Sequence, residues 1–189
     1  ELEVFVHGAL CVCMSGRCSL SHALGGRSGN RGQCAQPCRR GYSLVDGAGR
    51  TVVAERHLLS LRDLNLPPVL AALLAAGVTS FKIEGRLKNQ GYVMNVVGHY
   101  RQALDAILAG SGHRKASSGH VTPGFSPNPE KTFNRGYTRY FLHGRGAPVA
   151  SPDSPKHVGE PLGTVRSVGR DSFTLDGPQA LHSGDGITF

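Results

Sequence analysis

Along Glu1–Val6 the apolar Val4 and Val6 fall on alternate positions. That is the period-two pattern of a strand, and it delivers His7 and the first cysteines to a loop. A short helix is predicted over Ser19–Leu24, stopped by Gly25-Gly26. Residues 25–41 read as an Arg/Gly loop. Tyr42–Val45 and Thr51–Ala54 flank Asp46-Gly47, a hairpin signal. A short strand is expected over His57–Ser60. A helix should open at Pro67 or Pro68 and end at Gly77, and a strand should follow over Val78–Glu84. From Gly91 to about Ala109 the pattern is a long amphipathic helix, with Val93, Val97, Tyr100, Leu104 and Leu108 on one face. Alternating strands and helices predict parallel pairing, hence an α/β fold that is part of a (β/α) barrel. Residues 111–131 form a Gly/Ser/Pro/His-rich linker. From Gly159 onward, PLGTVRSV, DSFTLD and DGITF read as short strands of a small β module. The expected units are therefore 1–110, a partial barrel with a cysteine-rich loop; 111–158, a linker with an FNRG segment; and 159–189, the start of a small β domain.

The strand in SFKIEGR predicts chemistry. Phe81 and Ile83 share one face, while Ser80, Lys82 and Glu84 share the other. In a barrel the apolar pair meets the helices, which places Lys82 and Glu84 inside. Glu84 and Arg86 then stand at the C-terminal end of the strand, where barrel enzymes carry out their reactions. Glu84 is a candidate general acid or base. Arg86 can hold a carboxylate or phosphate through two parallel hydrogen bonds. The alternative is a Lys82–Glu84–Arg86 ion-pair network that merely closes the barrel. His7 joins this candidate catalytic set, either as a proton donor or as a hydrogen-bond partner of a loop carbonyl.

The cysteines are segregated. Cys11, Cys18, Cys34 and Cys38 fall within 28 residues, Cys13 stands beside the first, and the 151 residues after Cys38 hold none. The spacing is C-x6-C-x15-C-x3-C, in stretches rich in Gly, Ser, Arg and Asn. Crowded thiolates need a cation to offset their charge, so an iron–sulfur or zinc site is the leading reading. A disulfide pair with a leftover thiol fits poorly with five cysteines. Structural zinc usually shows two short knuckles, and only Cys34 and Cys38 come close to one. A [4Fe–4S] cluster tolerates irregular spacing and is preferred. Cys13, two residues from Cys11 on extended chain, should point away and serve as a small buried hydrophobe. Around Cys34 and Cys38 stand Arg27, Asn30, Arg31, Arg39 and Arg40, which can bind phosphate, tune a cluster or form a solvated loop.

The chain carries 21 Lys and Arg against 13 Asp and Glu, a net charge of +8, which favours an anionic partner such as nucleic acid. No run of eighteen apolar residues predicts a membrane span. No leader precedes the cysteines, so a reducing cytoplasm is expected. H-E-x-x-H and G-x-S-x-G are both missing, leaving zincin and serine-hydrolase chemistry without support. The remaining histidines show no metal-ligand spacing. Phe133-Asn134-Arg135-Gly136 reads equally as an anion-contacting loop or a satisfied turn.

Glu3-x-Phe5-x-x-Gly8-Ala9-Leu10-Cys11, then four residues, then Gly16-x-Cys18-x-Leu20-Ser21, resembles the signature of the peptidase U32 family. RSGNRGQCAQPCR (27–39), LLSLRDL (58–64), SFKIEGRLKN (80–89) and FNRGYT (133–138) are similar to the same family. The family name implies a collagenase-like protease. The better-understood members implied by the resemblance are oxygen-independent hydroxylation proteins. Some act at the 5-position of a pyrimidine in ribosomal or transfer RNA, with prephenate as co-substrate, and others act on the ubiquinone ring. These members carry a [4Fe–4S] cluster, and by position Cys11, Cys18, Cys34 and Cys38 would be its ligands. The stretch 27–39 and the continuation past residue 155 most resemble the long, ribosomal-RNA-directed branch. The resemblance also implies that half a barrel normally precedes the HGALC motif, so the chain is expected to be truncated. Three functions therefore stand open: RNA hydroxylation, a peptidase whose only candidates for a nucleophile or metal-bound water are Cys13 or a reassigned metal site, and a fragment without activity of its own.

Overall fold

The computed structural model describes residues 1–14 and 17–189. Gly16 of the G-x-C motif lies outside the described residues. The strands are β1 (Glu3–Ala9), β2 (Tyr42–Val45), β3 (Thr51–Arg56), β4 (Asp63–Asn65), β5 (Ser80–Ile83), β6 (Tyr137–Thr138), β7 (Thr164–Val168) and β8 (Phe173–Asp176). The α-helices are α1 (Leu20–Gly25), α2 (Leu70–Ala75) and α3 (Gln90–Ala109). The chain is thus mixed α/β.

One four-stranded sheet runs in the order β5-β1-β4-β6. β1 lies inside it, which is why three successive residues, Val6, His7 and Gly8, are buried where simple alternation predicts one in two. The expected parallel pairing holds for β1 with β5 and for β4 with β6. It fails for β1 with β4, which pair antiparallel through His7 opposite Asn65 and Ala9 opposite Asp63. The strand expected over His57–Ser60 is a turn instead, closed by the Ser60 N–H on the His57 carbonyl at 2.9 Å, and strand pairing begins at Asp63.

Val6, Leu64, Leu66, Leu70, Tyr92, Val96 and Tyr100 form the core. The buried stripe of α3 is therefore Tyr92–Val96–Tyr100, continued by Ala103, Leu104 and Ile107. Val93 and Val97, expected in that stripe, are 44% and 47% exposed. Two tyrosine hydroxyls explain the rotation. Tyr100 donates to the Val6 carbonyl at 2.7 Å and accepts from the Leu66 N–H at 3.0 Å. Tyr92 donates to the Glu84 carbonyl at 3.3 Å. Rings that satisfy their own polar tips pack as core, and a count of aliphatic residues overlooks them. Asn89 caps α3 by accepting from the Tyr92 N–H.

The Asp46-Gly47 hairpin forms as predicted between β2 and β3. In the C-terminal region β7 and β8 form a second antiparallel hairpin, while residues 185–189, expected as a strand, are irregular. FNRG does not stay in a linker: the Tyr137–Thr138 strand that follows it joins the main sheet beside β4. Among the described residues no helix is long and apolar enough to cross a membrane.

Candidate functional site

β1 ends at Ala9 and runs straight into Leu10 and Cys11, so the sheet itself presents the first thiol. Cys18 precedes α1, and the short 3-10 helix Pro37–Arg39 carries Cys38. All five cysteines are free thiols. Cys13 is exposed rather than buried, and the neighbouring Cys18 thiol pushes its pKa up. Burial pushes the Cys38 thiol up, opposed by the Arg39 charge, with Cys11, Cys34 and Cys18 adding to the rise. The thiols therefore share one electrostatic neighbourhood. Among the described residues, however, no three His, Cys, Asp or Glu side chains converge tightly enough to hold a metal.

Arg39 organises these loops. Its guanidinium donates to Ser60 Oγ at 2.9 Å, to the Leu61 carbonyl at 2.5 Å and to the Leu10 carbonyl at 2.8 Å. The residue expected to meet phosphate is thus a staple between β4 and both cysteine segments. Arg27 is exposed and donates to the Gln33 carbonyl at 3.0 Å. Asn30 and Arg31 stand exposed on the 3-10 turn Gly29–Arg31. A backbone N–H already serves one sulfur: Gln36 donates to Cys34 Sγ at 3.2 Å.

Behind the cysteines lies His7, 1% exposed. Tyr92, Tyr100 and Tyr137 surround its ring, with centroids at 6.1, 5.4 and 5.5 Å. Burial lowers its pKa to about 4, so it is neutral near pH 7 and hydrogen-bonds Asn65 Oδ1 at 3.3 Å. Two roles stand open to it, proton donor or partner of a loop carbonyl; its ring nitrogen instead meets a side-chain amide, that of Asn65 on β4. The same desolvation pushes Tyr92 up to about 12.

Glu84 stands just past β5, and its N–H donates to the His7 carbonyl at 2.9 Å. A Cβ on Gly8 would come within 2.8 Å of Glu84 Cβ and 2.9 Å of its carbonyl oxygen, and Gly8 has φ +115°. Only glycine allows β1 and the Glu84 turn to approach so closely. The Glu84 carboxylate accepts from the Arg86 N–H at 2.7 Å, while the Arg86 guanidinium reaches the Gly32 carbonyl. The alternative ion-pair network does not form: among the described residues no salt bridge involves Lys82, Glu84 or Arg86. Lys82 is exposed, because β5 is the outer strand of the described sheet.

Several residues with no spacing signal complete this end of the sheet. Asp63 and Arg135 form a buried ion pair at 3.1 Å, their side chains 4% and 8% exposed. The Arg135 N–H also donates to Asp63 Oδ2, and its Nε donates to the Pro155 carbonyl. Asn134 bonds the Glu130 and Thr132 carbonyls and accepts from the Gly136 N–H, so FNRG is a satisfied turn. Lys88 Nζ rests 3.5 Å from the Phe133 ring centroid. Burial lowers its pKa, and it feels the charges of Asp63, Arg135, Glu84 and Arg39. One sequence clue to Asp63 existed: a lone carboxylate inside the apolar run LLSLRDL must find a buried cation.

The family model of peptidase family U32 matches residues 1–150. This chain is a member of peptidase family U32. It is 49% identical over 187 residues to the 23S rRNA 5-hydroxycytidine C2501 synthase of Escherichia coli (strain K12), covering 98% of the chain and 29% of that protein. It is 41% identical over 115 residues to tRNA hydroxylation protein P1 of Bacillus subtilis (strain 168), covering 58% of the chain and 27% of that protein. It is 32% identical over 196 residues to a collagenase of Porphyromonas gingivalis, covering 99% of the chain and 52% of that protein. The chain thus spans about half or less of these relatives. No solved structure matches it.

The U32 donor set is chemically apt for a thiolate-bound cluster. Four soft sulfurs lie in two loops joined by Arg39, with an N–H already on Cys34. What the loops lack is convergence, which metal binding itself can supply.

Proposed function

We propose that the protein carrying this chain is an iron–sulfur-dependent enzyme that hydroxylates a pyrimidine of RNA, ribosomal rather than transfer RNA, without dioxygen. The observation that carries this reading is the 49% identity, over nearly the whole chain, to a ribosomal-RNA 5-hydroxycytidine synthase. The sheet end supports it by bringing the cysteine loops, Glu84 and Lys88 to one place. In this reading the enzyme works in the cytoplasm, and the sheet is part of a larger (β/α) barrel.

Cys11, Cys18, Cys34 and Cys38 would hold the [4Fe–4S] cluster, with zinc as the alternative metal. When bound, the cluster supplies electron transfer at the mouth of the site. The remaining chemistry belongs to side chains. Hydroxylation replaces the C5 hydrogen of the ring with a hydroxyl; with water as the source of the oxygen, two protons would pass to solvent and two electrons to an external electron acceptor, and prephenate is the proposed co-substrate. Glu84 is the carboxylate placed to move a proton, its turn fixed by Gly8 and Tyr92. Lys88 supplies positive charge beside it. His7, neutral and enclosed by three tyrosines, positions β1 rather than exchanging protons with substrate.

The collagenase relative keeps a peptidase reading in view. Cys13 is its nucleophile candidate, yet the neighbour that acts on it most is Cys18, another thiol that raises its pKa rather than a base that would activate it. The test is anaerobic purification of the full-length protein with iron, sulfide and zinc analysis, then nucleoside mass spectrometry of RNA from cells with and without the gene. About four irons and four sulfides per chain, lost on Cys→Ser change at each ligand, with a 5-hydroxypyrimidine that disappears on deletion, are expected. Zinc alone, or unchanged RNA, would sink the hydroxylase reading.

A further inference from the structure

Between the first turns of α3 and residues 125–133 opens a cleft of about 800 Å3. That lies within the usual range for small-ligand clefts, about 300–1,000 Å3. No carboxylate lines it, whereas two ammonium groups do, Lys88 and Lys131. Lys88 lies over Phe133 and, among the described residues, forms no ion pair. Burial lowers its pKa, so its charge is under-solvated and gains from an arriving anion. The nearest carboxylate to Lys131 is Glu160, a loose contact at 3.7 Å.

Four rings, Tyr92, Phe125, Phe133 and His157, share the lining with apolar Leu87 and Met94 and with polar Asn89, Ser126 and Thr132. Phe133 stacks on His157 with centroids 5.9 Å apart and planes 23° from parallel. Phe125 is partly exposed on the opposite wall, and Tyr92 closes the floor toward Glu84. The Asn95 and Asn128 amides are engaged with the protein itself. Asn95 Nδ2 donates to the Asn128 carbonyl and Asn95 Oδ1 accepts from the Asn128 N–H, both at 2.7 Å. A ligand here meets aromatic rings, Phe133 with Lys88 already over it, together with two ammonium groups, and rings beside positive charge are the combination that holds single-stranded nucleic acid.

We propose that this cleft seats an unpaired nucleotide of the RNA, its base against Phe125, Phe133 and His157 and its phosphate between Lys88 and Lys131. The proposal rests on the RNA reading above and adds where the strand is gripped. Tyr92, which lines the cleft, also donates to the Glu84 carbonyl, so a nucleotide held here lies one side chain away from the Glu84 turn.

The test is fluorescence anisotropy of a labelled, cytidine-rich single-stranded oligoribonucleotide on the full-length protein. Lys88→Gln, Lys131→Gln and Phe133→Leu should each weaken binding about tenfold. Each lysine change should also reduce the log–log salt slope by about 0.7. Arg166→Gln, which removes an exposed cation on β7, should bind as the wild type does. The Lys131 side chain is 65% exposed, so its replacement does not threaten folding. Unchanged affinity in both lysine variants, or an equal loss in Arg166→Gln, overturns the proposal. Hydroxylation measured on the same preparations separates the two readings. A wild type that binds through the cleft but leaves RNA unmodified removes the function and keeps the cleft. A wild type that modifies RNA, with lysine variants that bind and modify equally well, removes the cleft and keeps the function.

Discussion

The FNRG segment and the cysteine loops lie at the same end of the sheet, and they are built in opposite ways. FNRG is wired throughout: Arg135 is paired with Asp63, and the Asn134 amide is bonded to backbone at both its nitrogen and its oxygen. The cysteine loops are tied to the sheet mainly through one of their own residues, Arg39, which donates to the Leu61 and Leu10 carbonyls, and among the described residues their thiols do not converge. The frame that supports Glu84 is thus complete in the polypeptide alone. The part that would bind metal is left to be finished by the metal, as in other sites where binding and local ordering are coupled.

That contrast can be broken or sharpened by measurement. The largest effect is expected from Asp63→Ala, which leaves Arg135 buried without its counter-charge. Loss of one partner of such a pair costs ~3–5 kcal/mol, read as a lowered denaturation midpoint of the full-length protein. Next is pH. His7 titrates near 4 in the folded state against an ordinary 6.5, so the unfolded chain takes up its proton first. Stability is therefore full above pH 6.5 and falls as pH drops toward about 4, by ~3 kcal/mol at most. His7→Gln should flatten that window, and an unchanged profile would count against the buried neutral imidazole. Gly8→Ala meets both the Glu84 turn and a positive φ, a cost of ~1–3 kcal/mol. Its activity should fall further than its stability alone explains, because Glu84 is displaced. The smallest effect belongs to the other region. Cys11→Ser should change the stability of metal-free protein by less than about 0.5 kcal/mol. The same change should abolish metal content, so a large loss of apo stability would contradict the division drawn here.

Local signals in the chain were readable where the physics is local. Gly26 in the left-handed conformation stops α1, the Asp46 hairpin forms, and α3 spans its predicted length. The parts that were not legible depend on tertiary partners. Val93 and Val97 look like core in a count of aliphatic side chains, yet Tyr92 and Tyr100 win the buried face because their hydroxyls find backbone partners. The antiparallel β1–β4 pairing leaves no mark in periodicity. Among candidate site residues, Glu84 and Arg86 do stand together beside the cysteine loop, whereas Lys82 is in solvent and Arg39 is internal. Asp63 and Arg135 lie 72 residues apart and meet only in the fold.

The Asn95–Asn128 clasp has a practical corollary. Gly98 lets Pro127 pack against α3, where a Cβ would come within 3.1 Å of the proline ring, so the chain is moored again soon after the helix ends. Between those moorings residues 112–120 are all exposed. Doubling such a span costs only about 0.6 kcal/mol in closure entropy. Homologues can therefore drift freely in length there, and a peptide tag or dye inserted in this bight would leave the walls of the neighbouring cleft where they stand.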